Sequence, residues 1–291
     1  MDRPSLTCGR LALSLAPEVG GSIARFDWID GDRVPILRGT ECADASVLDM
    51  GCFPLVPYVN RIRGGRFSFR GQKVRIAPNM AGDVSPLHGQ GWLNAWQVEA
   101  VTDRSAVLRF MHEAGEWPWR YKAVQQFELD EAGLALSLGC RNMSGEPMPC
   151  GLGQHPYFHC TAETRLDTRV THAWTIDDHV LPVEQVAAEG QFDLSDRLVC
   201  GQEMDHGFGG WGGSARMTDP AWPFTLTMAS PNAGFFQLYS PASGGIFVAE
   251  PVTHANAALN ASEEEWQDLG MRVLAPGEAM RLDMRIDVRA S

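Results

Sequence analysis

Several familiar signatures are missing from this 291-residue chain: it has no CxxC, CxH, HxH or HExxH spacing, no GxSxG, and no glycine loop running into Lys-Ser or Lys-Thr. Those absences remove the compact zinc site, the metalloprotease helix, the serine-hydrolase elbow and the phosphate loop. Positive charge is scarce as well. With 24 Lys and Arg against 36 Asp and Glu, the net charge is −12 at pH 7 and the bases are scattered. That balance argues against nucleic acid or a membrane surface as partner and suits a small neutral ligand. Seven cysteines, an odd number spread evenly, do not make a disulfide scaffold. They point to a reducing compartment, the cytoplasm, with Cys140, Cys150 and Cys160 read as small apolar residues. Long hydrophobic runs are lacking too: Leu11 to Ala16, between Arg10 and Glu18, is too short to span a membrane or to form a convincing signal peptide. It reads as a first strand.

What the chain has is alternation. Arg66 to Phe69 and Lys73 to Ile76 flank Arg70-Gly71-Gln72 as a hairpin. Tyr121 to Leu129 and Leu134 to Cys140 flank Asp130-Glu131-Ala132-Gly133, and Val107 to Met111 supplies a neighbouring strand. Met280, Leu282, Met284, Ile286 and Val288 alternate with charged residues as a half-exposed strand. The best helix candidate is Ser262 to Leu269, about two turns, with Ser262 as N-cap and Glu263 to Glu265 at the positive end of the dipole. Thirty glycines and eighteen prolines punctuate the chain without a linker or a composition shift. The expectation is all-β: one large β-sandwich domain over residues 1–291 with little helix.

Glu250 ends the apolar run Gly244-Gly245-Ile246-Phe247-Val248-Ala249-Glu250-Pro251. Period two sets Ile246, Val248 and Glu250 on one face, and Pro251 is expected to end the pairing. A carboxylate is rarely buried without a partner or a task, so Glu250 is a candidate base. His155, in Gly153-Gln154-His155-Pro156-Tyr157, sits on a stiff mount between small residues and Pro156. With an ordinary pKa of about 6.5, it suits reversible proton transfer; a hydrogen-bonded structural histidine is the alternative. Asn60 and Arg61 follow two prolines and precede Gly64-Gly65, and Arg61 offers a donor fork for hydroxyls or for a surface acid. His88 lies among glycines beside Trp92, an indole that serves a sugar face or the core. Asp205 opens a glycine-rich loop through Gly213 and either binds hydroxyls or caps a turn. Gln237 shares a face with Phe235 and Tyr239. No ligand cluster calls for a metal, and no cofactor is expected.

Taken in order, Pro57-Tyr58-Val59-Asn60-Arg61-Ile62, Pro86-Leu87-His88-Gly89, Gly153-Gln154-His155-Pro156-Tyr157-Phe158, Asp205-His206, Gln237-Leu238-Tyr239 and Ala249-Glu250-Pro251 resemble the aldose 1-epimerase (mutarotase) family over nearly the whole chain. The resemblance implies a galactose mutarotase-like two-sheet sandwich, an isomerase acting on a free sugar, and a monomer or homodimer. It implies that Glu250 takes the anomeric hydroxyl proton, His155 protonates the ring oxygen, and His88 holds that oxygen or assists its protonation. Arg61, Asp205 and Gln237 hold hydroxyls, with Asn60 adjacent. Ala255 and Ala257 stand where the family often has prolines or an acid, which implies a looser loop. The glycine-rich Asp205 loop, ending at Trp211, implies altered contacts. A sugar-binding protein without catalysis and a hexose 6-phosphate 1-epimerase using Arg61 or Arg63 are the alternatives.

Overall fold

The alternation of the C-terminal segment becomes the strand Ala279–Ala290, which buries Leu282, Met284, Ile286 and Val288. Its outer face carries the ion pairs Arg281–Asp283 and Arg285–Asp287 at 2.5 and 2.6 Å. The computed structural model describes residues 3–40, 42 and 44–291. This strand lies between Gly133–Asn142 and Phe224–Ala229, and Tyr121–Leu129 and Ser105–His112 continue the sheet as the alternation predicts. Arg66–Phe69 and Gln72–Arg75 form the separate hairpin read from their sequence.

Among the described residues, nine strands make this sheet and twelve make a second. The two face each other across one apolar core, with Leu108, Phe127, Leu136 and Ile286 from the first and Phe26, Phe158, Phe208, Phe236 and Phe247 from the second. Each such fully buried side chain contributes about 1.5–3 kcal/mol, so the sandwich is a firm mount for whatever its faces carry. The fold is all-β, and no described helix is long and apolar enough to cross a membrane.

The structure corrects four expectations. Ser5–Cys8 precedes Leu11–Ala16 and pairs with it, so the latter is the second strand. Pro251 does not end its strand: Ile246–Val252 runs on, with Phe236 opposite Pro251 and Phe235 opposite Val252. Asp205 lies on a strand, Met204–Gly209, paired with Phe235–Ser240, because its glycines fit a crowded sheet face as readily as a loop. The expected helix at Ser262 is a series of turns. Ser262 does engage Glu265, through its backbone N–H at 3.0 Å and its hydroxyl at 2.7 Å. Yet Trp266 is buried and stacked on Phe69 at 5.3 Å, and Gly270 turns the chain at positive φ before further turns can repay nucleation.

Candidate functional site

Glu250 sits near the middle of a cross-strand row. Along Ile246–Val252, Phe247 and Ala249 enter the intersheet core, whereas Val248 faces a second cluster with Phe53, Trp92 and Tyr157. Glu250 projects on that second side by period two. On one flank, Gln237 is its partner in the ladder, and Gly207 is the partner of Gln237. On the other flank, Tyr157 pairs with Val248 and Gly153 with Val252, a constant register that sets His155 opposite Glu250. The ladder is interrupted between those two pairs, where Pro156 and Pro251 each lack a backbone donor.

His155 Nε2 therefore lies 3.5 Å from Glu250 Oε1, with both residues buried. The imidazole stacks on Phe53 at 4.4 Å and leans on Tyr157 at 4.7 Å, so its plane is fixed. Burial pushes the His155 pKa down to about 3, and it raises that of Glu250 well above the carboxylate range. The charge of Asp205 raises Glu250 further, opposed by Arg61. Burial thus favours the uncharged form of both groups, while their proximity favours the charged pair.

His88 and Asn60 hold each other. The His88 backbone N–H donates to the Asn60 carbonyl at 3.0 Å, and the Asn60 N–H donates to His88 Nδ1 at 3.1 Å. Both residues have left-handed backbone, at φ 58° and 55°, a conformation uncommon outside glycine that Asn and His adopt more readily than other residues. Burial, with the charges of His155 and Arg61, lowers the His88 pKa well below 6.5. A neutral ring whose Nδ1 accepts carries its proton on Nε2, which makes His88 a fixed donor.

Arg61 donates to Asp83 through Nε at 2.8 Å and to Asn60 Oδ1 through Nη1 at 3.1 Å. The surface-acid alternative is therefore half true: Arg61 has an acid, but both are largely buried. Gln237 Nε2 donates to Asp205 Oδ1 at 2.6 Å, and burial raises the Asp205 pKa against the pull of Arg61. Glu250, His155, His88, Arg61, Asn60 and Asp205 all line one cavity of about 410 Å³, and Gln237 supports Asp205 from beside Glu250.

Sequence reading missed Asp83, Arg38, Tyr157 and Tyr239, of which the last three line the cavity. Nothing local marks them, although Tyr157 and Tyr239 stood inside motifs chosen for other residues. Trp92 serves two roles: its face stacks near Phe53 at 5.4 Å on the cavity wall, and its indole N–H donates to Leu87. Arg63 turns outward to Asp177 at 3.3 Å, and Trp211 is buried in the core against Phe236. The loop after Glu250 is firmly tied, contrary to the looser arrangement implied by Ala255 and Ala257. His254 accepts from Val59 N–H at 3.0 Å and its Nδ1 faces the Ala255 carbonyl at 2.8 Å; Asn256 accepts from Arg61 N–H at 3.1 Å. Among the described residues, no three His, Cys, Asp or Glu side chains gather as a metal site.

Comparison with known proteins places the chain in a family. The aldose 1-epimerase family model matches residues 5–287. An uncharacterized Escherichia coli K12 protein, YphB, is 32% identical over 98% of each chain. The aldose 1-epimerase of Escherichia coli K12 is 25% identical over 60% of this chain and 54% of its own. A solved Escherichia coli K12 structure, provisionally titled an aldose 1-epimerase, superposes with a TM-score of 0.89 at 29% identity over 99% of both chains. A galactose mutarotase-like protein from Clostridium acetobutylicum does so at 0.84 and 18% identity, over 99% of this chain and 95% of its own. The match across nearly the full length means that the chain belongs to the aldose 1-epimerase family.

Proposed function

We propose that the chain interconverts the α and β anomers of a free aldose by acid/base opening and closing of the sugar ring. One observation carries this reading: Glu250 and His155 form a buried pair 3.5 Å apart on the wall of a cavity lined by further hydroxyl-binding groups. A pair sharing one proton is what the reaction requires. In the reactive arrangement Glu250 is the carboxylate and His155 the imidazolium, stabilised by their proximity. Glu250 takes the proton of the anomeric hydroxyl while His155 gives one to the ring oxygen. The C1–O5 bond breaks and the aldehyde forms. The pair is then left as acid and neutral imidazole, the state its burial favours.

Rotation about C1–C2 presents the other carbonyl face. On closure His155 recovers the proton from the C5 hydroxyl, Glu250 returns one to the new anomeric oxygen, and the pair ends as it began. No net proton or electron is exchanged. His88, a fixed Nε2–H donor, is suited to hold the ring oxygen but not to supply its proton. Arg61 and Asp205 hold hydroxyls as donor and acceptor, with Asn60 positioning Arg61 and Gln237 positioning Asp205. The acid and the base each contribute about 10²- to 10⁴-fold.

The outward turn of Arg63 and the Arg61–Asp83 pair speak against those two arginines as a phosphate clamp. Anomer exchange is measured by polarimetry, or by magnetisation transfer between anomeric protons, across aldoses with and without a 6-phosphate. Turnover of the free sugars above the buffer rate is expected. Binding without turnover of any aldose would leave the non-catalytic sugar-binding reading in its place.

A further inference from the structure

We infer that Arg38 reads the substituent on C5 of the bound aldose, and that the substituent it favours is a carboxylate, which makes hexuronates the preferred substrate class. The inference rests on the epimerase reading for the placement of the sugar ring.

Arg38 follows the strand Asp32–Leu37, and its backbone N–H donates to the Tyr157 carbonyl at 2.8 Å. Its guanidinium carbon stands 3.7 Å above the Tyr157 ring centre, and Nη2 donates to the carbonyls of Leu48 and of Met50, the latter at 2.9 Å. These contacts fix the group on the cavity wall near Tyr239 and Ile246 but supply no negative charge. The other two arginines near the site are neutralised, Arg61 by Asp83 and Arg63 by Asp177. Among the described residues Arg38 forms no ion pair. Asp49, between the two carbonyls, feels the charge from farther away, so a partly enclosed cation with no carboxylate in contact suits an anionic ligand group on its cavity side.

Stereochemistry says which group. Across the sheet the order runs from Arg38, beside Tyr157 and His155, to Glu250 and then to Gln237 with Asp205. In a pyranose the ring oxygen separates C1 from C5. With O1 at Glu250 and the ring oxygen at His155, the C5 substituent lies on the Tyr157–Arg38 side. The ring hydroxyls face Asp205 and Arg61. A C6 carboxylate there meets planar guanidinium donors, whereas a hydroxymethyl group brings no charge to them.

The test compares anomer exchange of D-glucuronate and D-galacturonate with that of D-glucose and D-galactose, using the wild type, Arg38→Met and Arg38→Lys. The wild type is expected to favour the hexuronates in kcat/KM by about 10- to 100-fold, the range of a charged hydrogen bond. Arg38→Met removes the preference and Arg38→Lys keeps part of it. A wild type without the preference overturns the inference, as does an Arg38→Met variant that slows acidic and neutral sugars in equal proportion, the mark of a purely structural arginine. Stronger, Arg38-dependent turnover of hexose 6-phosphates overturns the carboxylate assignment. If no aldose is turned over, the epimerase reading itself fails. Calorimetric binding of glucuronate and glucose to the wild type and Arg38→Met then decides: an Arg38-dependent preference for glucuronate supports the inference, and equal or absent binding overturns it.

Discussion

His155 Nε2 and Glu250 Oε1 face each other at 3.5 Å across a ladder interrupted by prolines on both strands. The missing backbone donors interrupt the pairing of these two strands with each other, while the unbroken register on either side keeps the two residues opposite. The proton pair is thus set by the sheet rather than by a loop, and its geometry inherits the rigidity of the sandwich.

Glu250→Gln keeps the volume and the ladder position of the side chain but cannot take a proton. The variant is expected to fold and to bind sugar, with anomer exchange reduced by roughly 10²- to 10⁴-fold. Magnetisation transfer between anomeric protons measures the rate, and calorimetry the binding. Retention of wild-type turnover removes Glu250 from the role of base.

Acid stability reports on His155. Its folded pKa, about 3, lies below the ordinary value of about 6.5. The unfolded chain therefore takes up a proton at this residue before the folded chain does. Its contribution to stability is complete above about pH 6.5 and is lost as pH falls through that window toward about 3. His155→Phe keeps a ring between Phe53 and Tyr157 while removing the titration. Urea unfolding across that range is expected to show a shallower acid decline for the variant than for the wild type, and parallel declines would contradict the shift.

Gly207 leaves room for Gln237. A Cβ at this position stands 3.2 Å from Gln237 Oε1, close enough to force the amide to move. Because Gln237 donates to Asp205 at 2.6 Å, Gly207→Val is expected to loosen the hydroxyl-binding acid. KM should rise by about tenfold with kcat changed less, since the variant removes ground-state and transition-state binding alike. An unchanged KM counts against the Gln237–Asp205 contact as a sugar-binding unit.

Gly151 gives way to His254. A Cβ there stands 1.9 Å from His254 Cδ2, and this ring accepts the Val59 N–H beneath the Asn60–Arg61 segment. Gly151→Ala should destabilise the fold by about 1–3 kcal/mol, the usual cost of overpacking, as read from denaturant midpoints at constant m. Wild-type stability would show that the loop has room the structure denies.

The strands were legible because their signal is local. Leu282, Met284, Ile286 and Val288 announce an inward face by period two, and Tyr121–Leu129 finds its partner across a short polar turn. The short helix at Ser262 failed for a tertiary reason: burial of Trp266 against Phe69 outweighs a capping contact that does form. Glycine marks turns more often than strands, so the segment from Asp205 to Gly213 reads as a loop in sequence. Its strand is fixed by pairing with Phe235–Ser240, about thirty residues later.

The sequence by itself determined the all-β class, the strands with the clearest alternation, and an ordered set of motifs holding Glu250, His155, His88, Asn60, Arg61, Asp205 and Gln237. Only the tertiary structure decided which of their atoms meet. It set His155 opposite Glu250, supplied Asp83 to Arg61, fixed the tautomer of His88 through Asn60, turned Arg63 away and brought Arg38 to the cavity. The physical reason is range. Alternation and turn chemistry act over a few residues, whereas register, desolvation and charge pairing depend on strands that are distant in the chain and adjacent in space.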